Sequence, residues 1–251
     1  MSPDDINKAI ELLRDDDKYY GDFGRQFVSN SDVGTLIDNP FAYGQQKEKT
    51  VPMVIGGYFH TLILEPNKVD KFRIVEATTR NTKIYKEISD GEICLLEHEA
   101  DMVQKMREVI MANDLCKYMI RGSDSDFSLI EYEVPGIAEI DGVLFKGKAD
   151  IINKDQALIV DLKTTSDLGG FRRSAYKYNY DSQAYIYRHI FGLDMVFIAI
   201  DKTTNMLGIY DCSDSFLDSG RQKVEKAIAN YKLFVQDADF DKDQYLINET
   251  L

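Results

Sequence analysis

The stretch VLFKGKADIINKDQALIVDLKTT, residues 143–165, decides the fold that we predict for this chain. It contains two segments rich in apolar and β-branched residues, at 143–152 and 157–163. The residues between them, Asn-Lys-Asp-Gln, are typical of a turn. We therefore predict two neighbouring antiparallel strands that pair as a hairpin.

Three charged side chains lie on this hairpin. Asp150 is on its first strand, and Asp161 and Lys163 are on its second. Because Asp161 and Lys163 are two residues apart, their side chains leave the same face of the strand. Leu162, between them, should point into the core while its backbone carbonyl stays available beside the charged groups.

This arrangement suits the hydrolysis of a phosphodiester. Carboxylates on neighbouring strands, here Asp150 and Asp161, can hold a hard cation such as Mg²⁺. A bound metal polarises a phosphate and acidifies a water molecule. Lys163 could position or deprotonate that water, or stabilise charge on the phosphate. The alternative is that Asp161 and Lys163 form an exposed ion pair on an edge strand.

The periodicity of apolar residues predicts the elements around the hairpin. Helices are predicted at 2–13, 31–38, 51–64, 93–119 (the longest), 180–191 and 213–236. Further strands are predicted at 128–134, 137–140, 195–200 and 206–210. We also expect a loop with a short helix at 67–90 and a linker at 122–126.

These elements predict an α/β fold, in which a central mixed β-sheet is flanked by helices. We expect a single domain over residues 1–251, because this length suits one large core. Within it, 1–126 should be mainly helical, 127–212 should hold the catalytic sheet and the helix at 180–191, and 213–251 should supply a C-terminal helix.

Composition restricts the functional classes. The formal net charge of −13 argues against a protein that coats nucleic acid, but one local groove could still bind DNA. The chain has three cysteines, and no two of them form a CxxC pair. This number and spacing disfavour a disulfide framework and an iron–sulfur cluster. The first residues show no signal-peptide pattern, and no apolar run approaches about 18 residues. We therefore expect a cytoplasmic protein without a membrane segment.

Two further elements carry candidate site residues. Gln183 and Tyr187 are four residues apart on a predicted helix, so they share a face and could contact substrate phosphate or orient Lys163. His60 lies in the apolar helix at 51–64, where a lone histidine is more often a core residue. The pair Gly56-Gly57 should let this helix approach the sheet closely.

A third carboxylate could face the metal from the strand before the hairpin. Glu131 is the candidate, and Glu133 could serve equally because the two should share a face. For DNA contacts we predict basic residues that flank the motifs, some of them interleaved with tyrosines. These residues are Arg80, Lys83, Lys86, Arg172, Arg173 and Lys177.

The order Asp150, then Asp161-Leu162-Lys163, then Gln183-x-x-x-Tyr187 resembles the motif set of the RecB-like branch of the PD-(D/E)xK nucleases. The stretches at 29–32, 56–66 and 80–86 are similar to those of RecE-type exonucleases (exodeoxyribonuclease VIII) of phages and prophages. The resemblance covers roughly residues 28–192.

The resemblance implies a restriction-endonuclease-like core and a metal site. The family's histidine ligand falls on His60, which would join Asp150, Asp161 and the Leu162 carbonyl in binding Mg²⁺, with Mn²⁺ as a substitute. Asp150, Asp161, Lys163, Gln183 and Tyr187 would be the catalytic set.

The resemblance also implies an activity and partners. The chain would be a Mg²⁺-dependent exodeoxyribonuclease that degrades one strand of linear double-stranded DNA from a 5′ end and leaves a 3′ overhang. It would act on DNA ends in the cytosol of a phage-infected or bacterial host, as a ring-shaped homo-oligomer, with a single-strand annealing protein as partner. The alternatives are a PD-(D/E)xK endonuclease, a structure-specific nuclease, and a DNA-end-binding recombination scaffold without activity.

Overall fold

A five-stranded mixed sheet lies at the centre of the computed structural model, which describes residues 1–46, 48–123, 129–241 and 246. The strands of the described ranges are, in chain order, β1 (Ile74–Val75), β2 (Leu95–Leu96), β3 (Ile130–Ile140), β4 (Val143–Asn153), β5 (Leu158–Thr165), β6 (Asp194–Asp201) and β7 (Leu207–Asp211). The order across the sheet is β3-β4-β5-β6-β7, and only β5 and β6 are parallel. β1 and β2 form a separate parallel pair.

Helices cover both faces of this sheet. In the described part of the chain they are α1 (Pro3–Leu12), α2 (Asp16–Tyr20), α3 (Asn30–Asp38), α4 (Val51–Leu64), α5 (Lys83–Ser89), α6 (Glu97–Ala112), α7 (Asp114–Arg121), α8 (Phe171–Lys177), α9 (Tyr180–Phe191) and α10 (Asp214–Tyr231). The predicted α/β fold class is confirmed. α4 and α9 have the bounds that the sequence predicts, whereas α8 was not predicted.

The helix predicted at 93–119 is wrong, because that segment forms β2, α6 and α7. The break comes at Asn113, which has an extended backbone and accepts a hydrogen bond on its side chain from the Cys116 N–H at 3.0 Å. An asparagine in this position caps a new helix rather than continuing the old one. The longest helix that the structure describes is instead α10, with 18 residues.

The strands predicted at 128–134 and 137–140 form one strand, β3. Pro135 and Gly136 stay in register with Lys148 and Gly147 of β4, so the chain continues through them in extended form. Part of the first predicted strand and part of the linker predicted at 122–126 lie outside the described residues.

The core is divided between the two faces of the sheet. On one face, which we call the α9 face, α3, α8, α9 and α10 pack with sheet residues such as Phe145 and Phe197. On the other, the α4 face, α4, α6 and α7 pack with residues such as Ile151 and Leu162. Leu162 is fully buried there, in the orientation that its place between Asp161 and Lys163 predicts.

At one position along β3 and β4 the regular alternation of side chains between the two faces of the sheet is interrupted. We call this position the face exchange of β3 and β4. Ala149 packs on the α9 face and Ile151 on the α4 face, although residues two apart normally share a side. The same reversal separates Tyr132 from Val134, and Glu133 between them has a positive φ of 51°. At the face exchange, a strand side chain can therefore contact helices on either face of the sheet.

No helix within the described ranges is long and apolar enough to cross a bilayer.

Candidate active site

Three carboxylates lie side by side across strands β3, β4 and β5. Glu133 falls opposite Asp150 in the β3–β4 register, which runs without a shift from Tyr132–Ile151 to Val134–Ala149. The β4–β5 ladder ends at Ile151–Val160, one position before Asp150 and Asp161. Because the ladder stops there, the backbone N–H of Leu162 is free to donate to Asp150 Oδ2, at 2.8 Å.

His60 reaches this row from helix α4. Its Nδ1 atom lies 3.1 Å from Asp150 Oδ2. Burial disfavours a charged imidazole, but the neighbouring carboxylate of Asp150 outweighs it and raises the pKa of His60. The same contact, with the Leu162 N–H, holds the pKa of Asp150 below its usual value in spite of burial. The structure thus brings together a helix residue and a strand residue that are distant in sequence.

Glu133 completes a group that could hold a metal ion. One ligand atom from each of His60, Glu133 and Asp150 lies within 4.8 Å of the others. Burial and the nearby Asp150 carboxylate raise the pKa of Glu133 to about 7. Two carboxylates held this close in a buried place repel each other, and a bound cation would remove that repulsion. One nitrogen and two oxygen donors suit a divalent ion such as Mn²⁺, and the carboxylates suit Mg²⁺.

Asp161 is bound by other partners. Its Oδ1 forms an ion pair with the Lys163 ammonium, and its Oδ2 accepts a hydrogen bond from Gln183 Nε2 at 2.7 Å. Burial raises the pKa of Asp161 to about 6, against the opposing effect of Lys163. Asp161, which the sequence predicts as a further metal ligand, thus lies beside the metal-binding group with its two oxygens in contact with Lys163 and Gln183.

The Lys163 ammonium is enclosed on several sides. Besides its ion pair with Asp161, it lies 4.6 Å from the centre of the Tyr180 ring. Burial favours the neutral amine, but the carboxylates of Asp161 and Asp150 raise the pKa of Lys163 above its ordinary value. The Lys163 ammonium is thus held in place between the Asp161 carboxylate and the Tyr180 ring.

Tyr187 has a different place from the one expected of a catalytic residue. Its hydroxyl donates to the Lys148 carbonyl at 2.9 Å and accepts from the Lys148 N–H at 3.2 Å. Its ring covers Gly147 so closely that a Cβ there would stand 2.7 Å from a ring carbon. Tyr187 therefore positions β4 just before Asp150, through both hydrogen bonds to the Lys148 backbone.

Glu131 is not part of the site. Its carboxylate pairs with the Lys154 ammonium, with both side chains about half exposed. Glu131 and Glu133 were expected to share a face, but the positive φ of Glu133 and the exchange of faces around it separate them. Of the two alternatives, the structure places Glu133 beside Asp150.

The prediction that the glycines of α4 let this helix approach the sheet closely is wrong. A Cβ on Gly56 would meet no atom within 4 Å, and one on Gly57 would meet only the Phe72 ring at 3.7 Å. The helix approaches the sheet through Tyr58, Phe59 and Leu62 instead. Gly57, with Met53 and His60, lines an open cleft.

That cleft has a volume of about 1150 Å³, and all three carboxylates line it. Of the residues predicted to bind DNA, only Lys177 is among its lining residues. Arg80 is instead held by Glu99, at 2.8 Å from Nη1, and by the Cys94 carbonyl. Lys83, Lys86, Arg172 and Arg173 are exposed outside the cleft.

Other cations of the cleft were missed from the sequence. They are Arg25, Lys71, Lys146 and Lys148. Lys146 and Lys148 precede Asp150 at intervals of two residues on β4, and this spacing was the available signal. Lys146 donates to the Tyr19 carbonyl at 2.5 Å, and Lys148 pairs with Asp16 at 2.6 Å, so both also hold α2 against the sheet.

The mixed sheet between two helical layers, with a carboxylate row and the Asp161–Lys163 pair at the end of a hairpin, defines the PD-(D/E)xK class of fold. A family model described as "PDDEXK-like domain of unknown function (DUF3799)" matches residues 41–241, and the chain belongs to this family. The resemblance to PD-(D/E)xK nucleases is thus confirmed, and family and site together support a nuclease.

One solved structure shares the fold over nearly its whole length. A protein from Eubacterium rectale described as a candidate exonuclease has a TM-score of 0.63 and 16% identity, over 94% of this chain and 95% of that one. A phage-related exonuclease from Haemophilus somnus 129PT has 15% identity over 84% of this chain and 95% of that one, with a TM-score of 0.37. The search of curated proteins found no match.

Proposed function

We propose that this chain is a metal-dependent exodeoxyribonuclease that hydrolyses phosphodiester bonds of linear double-stranded DNA. The observation that carries the proposal is the group of His60, Glu133 and Asp150 ligand atoms within 4.8 Å of one another, beside the Asp161–Lys163 pair. A hard-cation site next to a fixed ammonium suits phosphodiester hydrolysis, because the ion can activate water and both charges can stabilise the phosphate.

Each residue has a distinct part in this proposal. His60, Glu133 and Asp150 would hold the ion, with the Asp161 carboxylate and the Leu162 carbonyl as further oxygen ligands. The chemistry that such an ion supplies when bound is polarisation of a phosphate and acidification of water. Lys163 places its positive charge beside the phosphate, and Tyr180 and Asp161 fix the position of that charge.

Gln183 and Tyr187 act through other residues. Gln183 fixes the carboxylate of Asp161 by its hydrogen bond of 2.7 Å. Tyr187 fixes the backbone of Lys148, two residues before Asp150. Both are positioning residues on one face of α9, which explains why they are spaced by four in the sequence.

The substrate and its direction rest on the resemblance to RecE-type enzymes. Attack at 5′ ends, a 3′ overhang, a single-strand annealing partner and a ring-shaped homo-oligomer are parts of the proposal on that ground. The cleft supports a nucleic-acid substrate, because a depression of about 1150 Å³ lined by Arg25, Lys71, Lys146 and Lys177 can accept a phosphate backbone.

The decisive experiment compares linear duplex DNA with closed circular DNA, each with Mg²⁺, with Mn²⁺ and with a chelator. We expect mononucleotide release from the linear substrate only, and only with metal. Lys163→Ala should lower the rate by on the order of 10²–10⁴, whereas Lys154→Ala, at an exposed lysine paired with Glu131, should have no effect. Cutting of the circle would indicate an endonuclease, and binding without cleavage would indicate a scaffold.

A further inference from the structure

Aromatic rings form a row that begins beneath Lys163 and ends at the surface of the cleft. Phe197, in the core, stacks on Tyr180 with centroids 5.6 Å apart and planes 28° apart. The Tyr180 and Tyr178 rings are tilted relative to each other, with centroids 6.3 Å apart and planes 39° apart. The first ring is 2% exposed and the last is 58% exposed. The outermost ring of the row, Tyr178, is thus largely exposed and lines the cleft.

The turn that carries Tyr178 is fixed. Asn179 adopts the left-handed conformation with φ of 60°, and its carbonyl accepts hydrogen bonds from Asn30 Nδ2 and Ser182 Oγ, each at 3.0 Å. Ser182 Oγ also lies 2.6 Å from Asn30 Oδ1. Because α3 and α9 hold this turn together, a ligand that binds to the Tyr178 ring would order little additional chain.

The open ring lies close to the proposed site of cleavage. Lys163 Nζ lies 4.6 Å from the Tyr180 centroid, and the Tyr180 and Tyr178 centroids are 6.3 Å apart. These two lengths together place the Tyr178 ring at most about 11 Å from the ammonium. Tyr178, Tyr180 and Lys163 line the same cleft, and Lys177 Nζ lies 5.6 Å from the Tyr178 centroid. One nucleotide can bridge such a distance between its phosphate and its base.

We propose that Tyr178 is a stacking platform for the base of a nucleotide next to the scissile phosphate. The proposal rests on the proposed nuclease function and names a residue that places the substrate. A planar base would become the next member of the row Phe197–Tyr180–Tyr178. Every base has a π-face, so the contact favours nucleic acid without selecting a sequence. The lysine beside the ring adds a cation for the phosphate of the same or the next nucleotide.

The test uses strands that carry one abasic site at successive positions from the end. The wild-type protein should cut one bond about tenfold more slowly when the adjacent base is missing, as expected for the loss of one aromatic stack. Tyr178→Ala should be about tenfold slower on intact DNA and insensitive to the abasic site, whereas Tyr178→Phe should behave as wild type. Tyr176→Ala is the matched control, because that ring packs on Phe216 and does not line the cleft.

Two results would overturn the proposal: wild-type rates for Tyr178→Ala on intact DNA, or an unchanged abasic penalty in that variant. Failure of the nuclease function is recognised separately, since the wild-type protein would then cut none of the strands. In that case fluorescence anisotropy with single-stranded intact and abasic oligonucleotides decides about stacking. Equal affinity for both, or no loss of affinity in Tyr178→Ala, would exclude it. Thermal unfolding of each variant checks that the fold is intact.

Discussion

His60 Nδ1 and Asp150 Oδ2 lie 3.1 Å apart, although one residue belongs to helix α4 and the other to strand β4. This contact joins helix α4 to strand β4 at the face exchange of β3 and β4. The two residues would also bind the same ion, one from the helix and the other from the sheet.

His60→Ala should therefore weaken metal binding. We expect a loss of roughly 10–100-fold in Mn²⁺ affinity by calorimetry, since the nitrogen ligand is removed. Activity should fall most at limiting metal, and excess Mn²⁺ should partly restore it. His189→Ala is the control, because His189 packs on Tyr185 outside the cleft. A loss of thermal stability without any change in metal affinity would make His60 a core residue only.

Glu133→Gln and Glu131→Gln form a matched pair on one strand. The first change removes a carboxylate from the metal-binding group, and we expect cleavage to fall by on the order of 10²-fold. The second removes only the exposed pair with Lys154, and the rate should stay at the wild-type value. Initial rates at saturating Mg²⁺ measure the difference. Equal rates for the two variants would contradict the role of Glu133.

Tyr187→Phe removes both hydrogen bonds to the Lys148 backbone. Because these groups are buried, their loss should lower the free energy of unfolding by roughly 1–3 kcal/mol, measured by urea denaturation. The rate of cleavage should also fall, by about tenfold, as Asp150 shifts. Tyr178→Phe, at an exposed tyrosine, should leave stability unchanged. A Tyr187→Phe protein that is as stable as the wild type would exclude the backbone clamp.

Arg80→Ala should affect stability rather than DNA affinity. Burial raises the pKa of Glu99, but the hydrogen bonds and charge of Arg80, with the Leu96 N–H, outweigh it and hold that pKa below its usual value. A carboxyl group whose pKa is lowered by folding contributes stability above its unfolded pKa, and this stability is lost as pH falls through the folded value.

The free energy of unfolding of the wild-type protein should thus be roughly 1–3 kcal/mol higher than that of Arg80→Ala near pH 7. This difference should shrink below about pH 4. Urea denaturation across this pH range measures it, with Lys83→Ala as the exposed control. A difference that does not change with pH, or a large loss of DNA affinity at pH 7, would argue against a structural ion pair.

DNA binding should depend steeply on salt despite the net charge of −13. At least three phosphate contacts give a slope of log K against log salt of about −2.7. Lys177→Ala, in the cleft, should reduce the slope by about 0.9, whereas Lys86→Ala, outside it, should leave the slope unchanged. A flat salt dependence would contradict binding of phosphates in the cleft.

The sequence predicts those parts of the site that depend on local spacing. Asp161 and Lys163 share a face because a strand repeats every two residues, and Gln183 and Tyr187 share one because a helix brings residues four apart together. The segments that form α4 and α9 are predicted from their apolar patterns, since burial of one face dominates their energetics.

The remaining parts depend on exceptions to regular geometry or on distant partners. Glu131 and Glu133 cannot be distinguished by alternation, because the positive φ of Glu133 interrupts it. Arg80 was expected to bind DNA, and only the fold brings Glu99 to it. The break at Asn113 follows from a capping hydrogen bond that apolar periodicity does not register.

The spread of the site residues over α4, β3, β4 and α9 has a consequence for the order in which the site is made. The chain leaves the ribosome from its N-terminus, so α4 with His60 emerges well before Glu133 and Asp150. The ligand group is incomplete until β4 has been synthesised, and the Gln183 hydrogen bond to Asp161 forms later still.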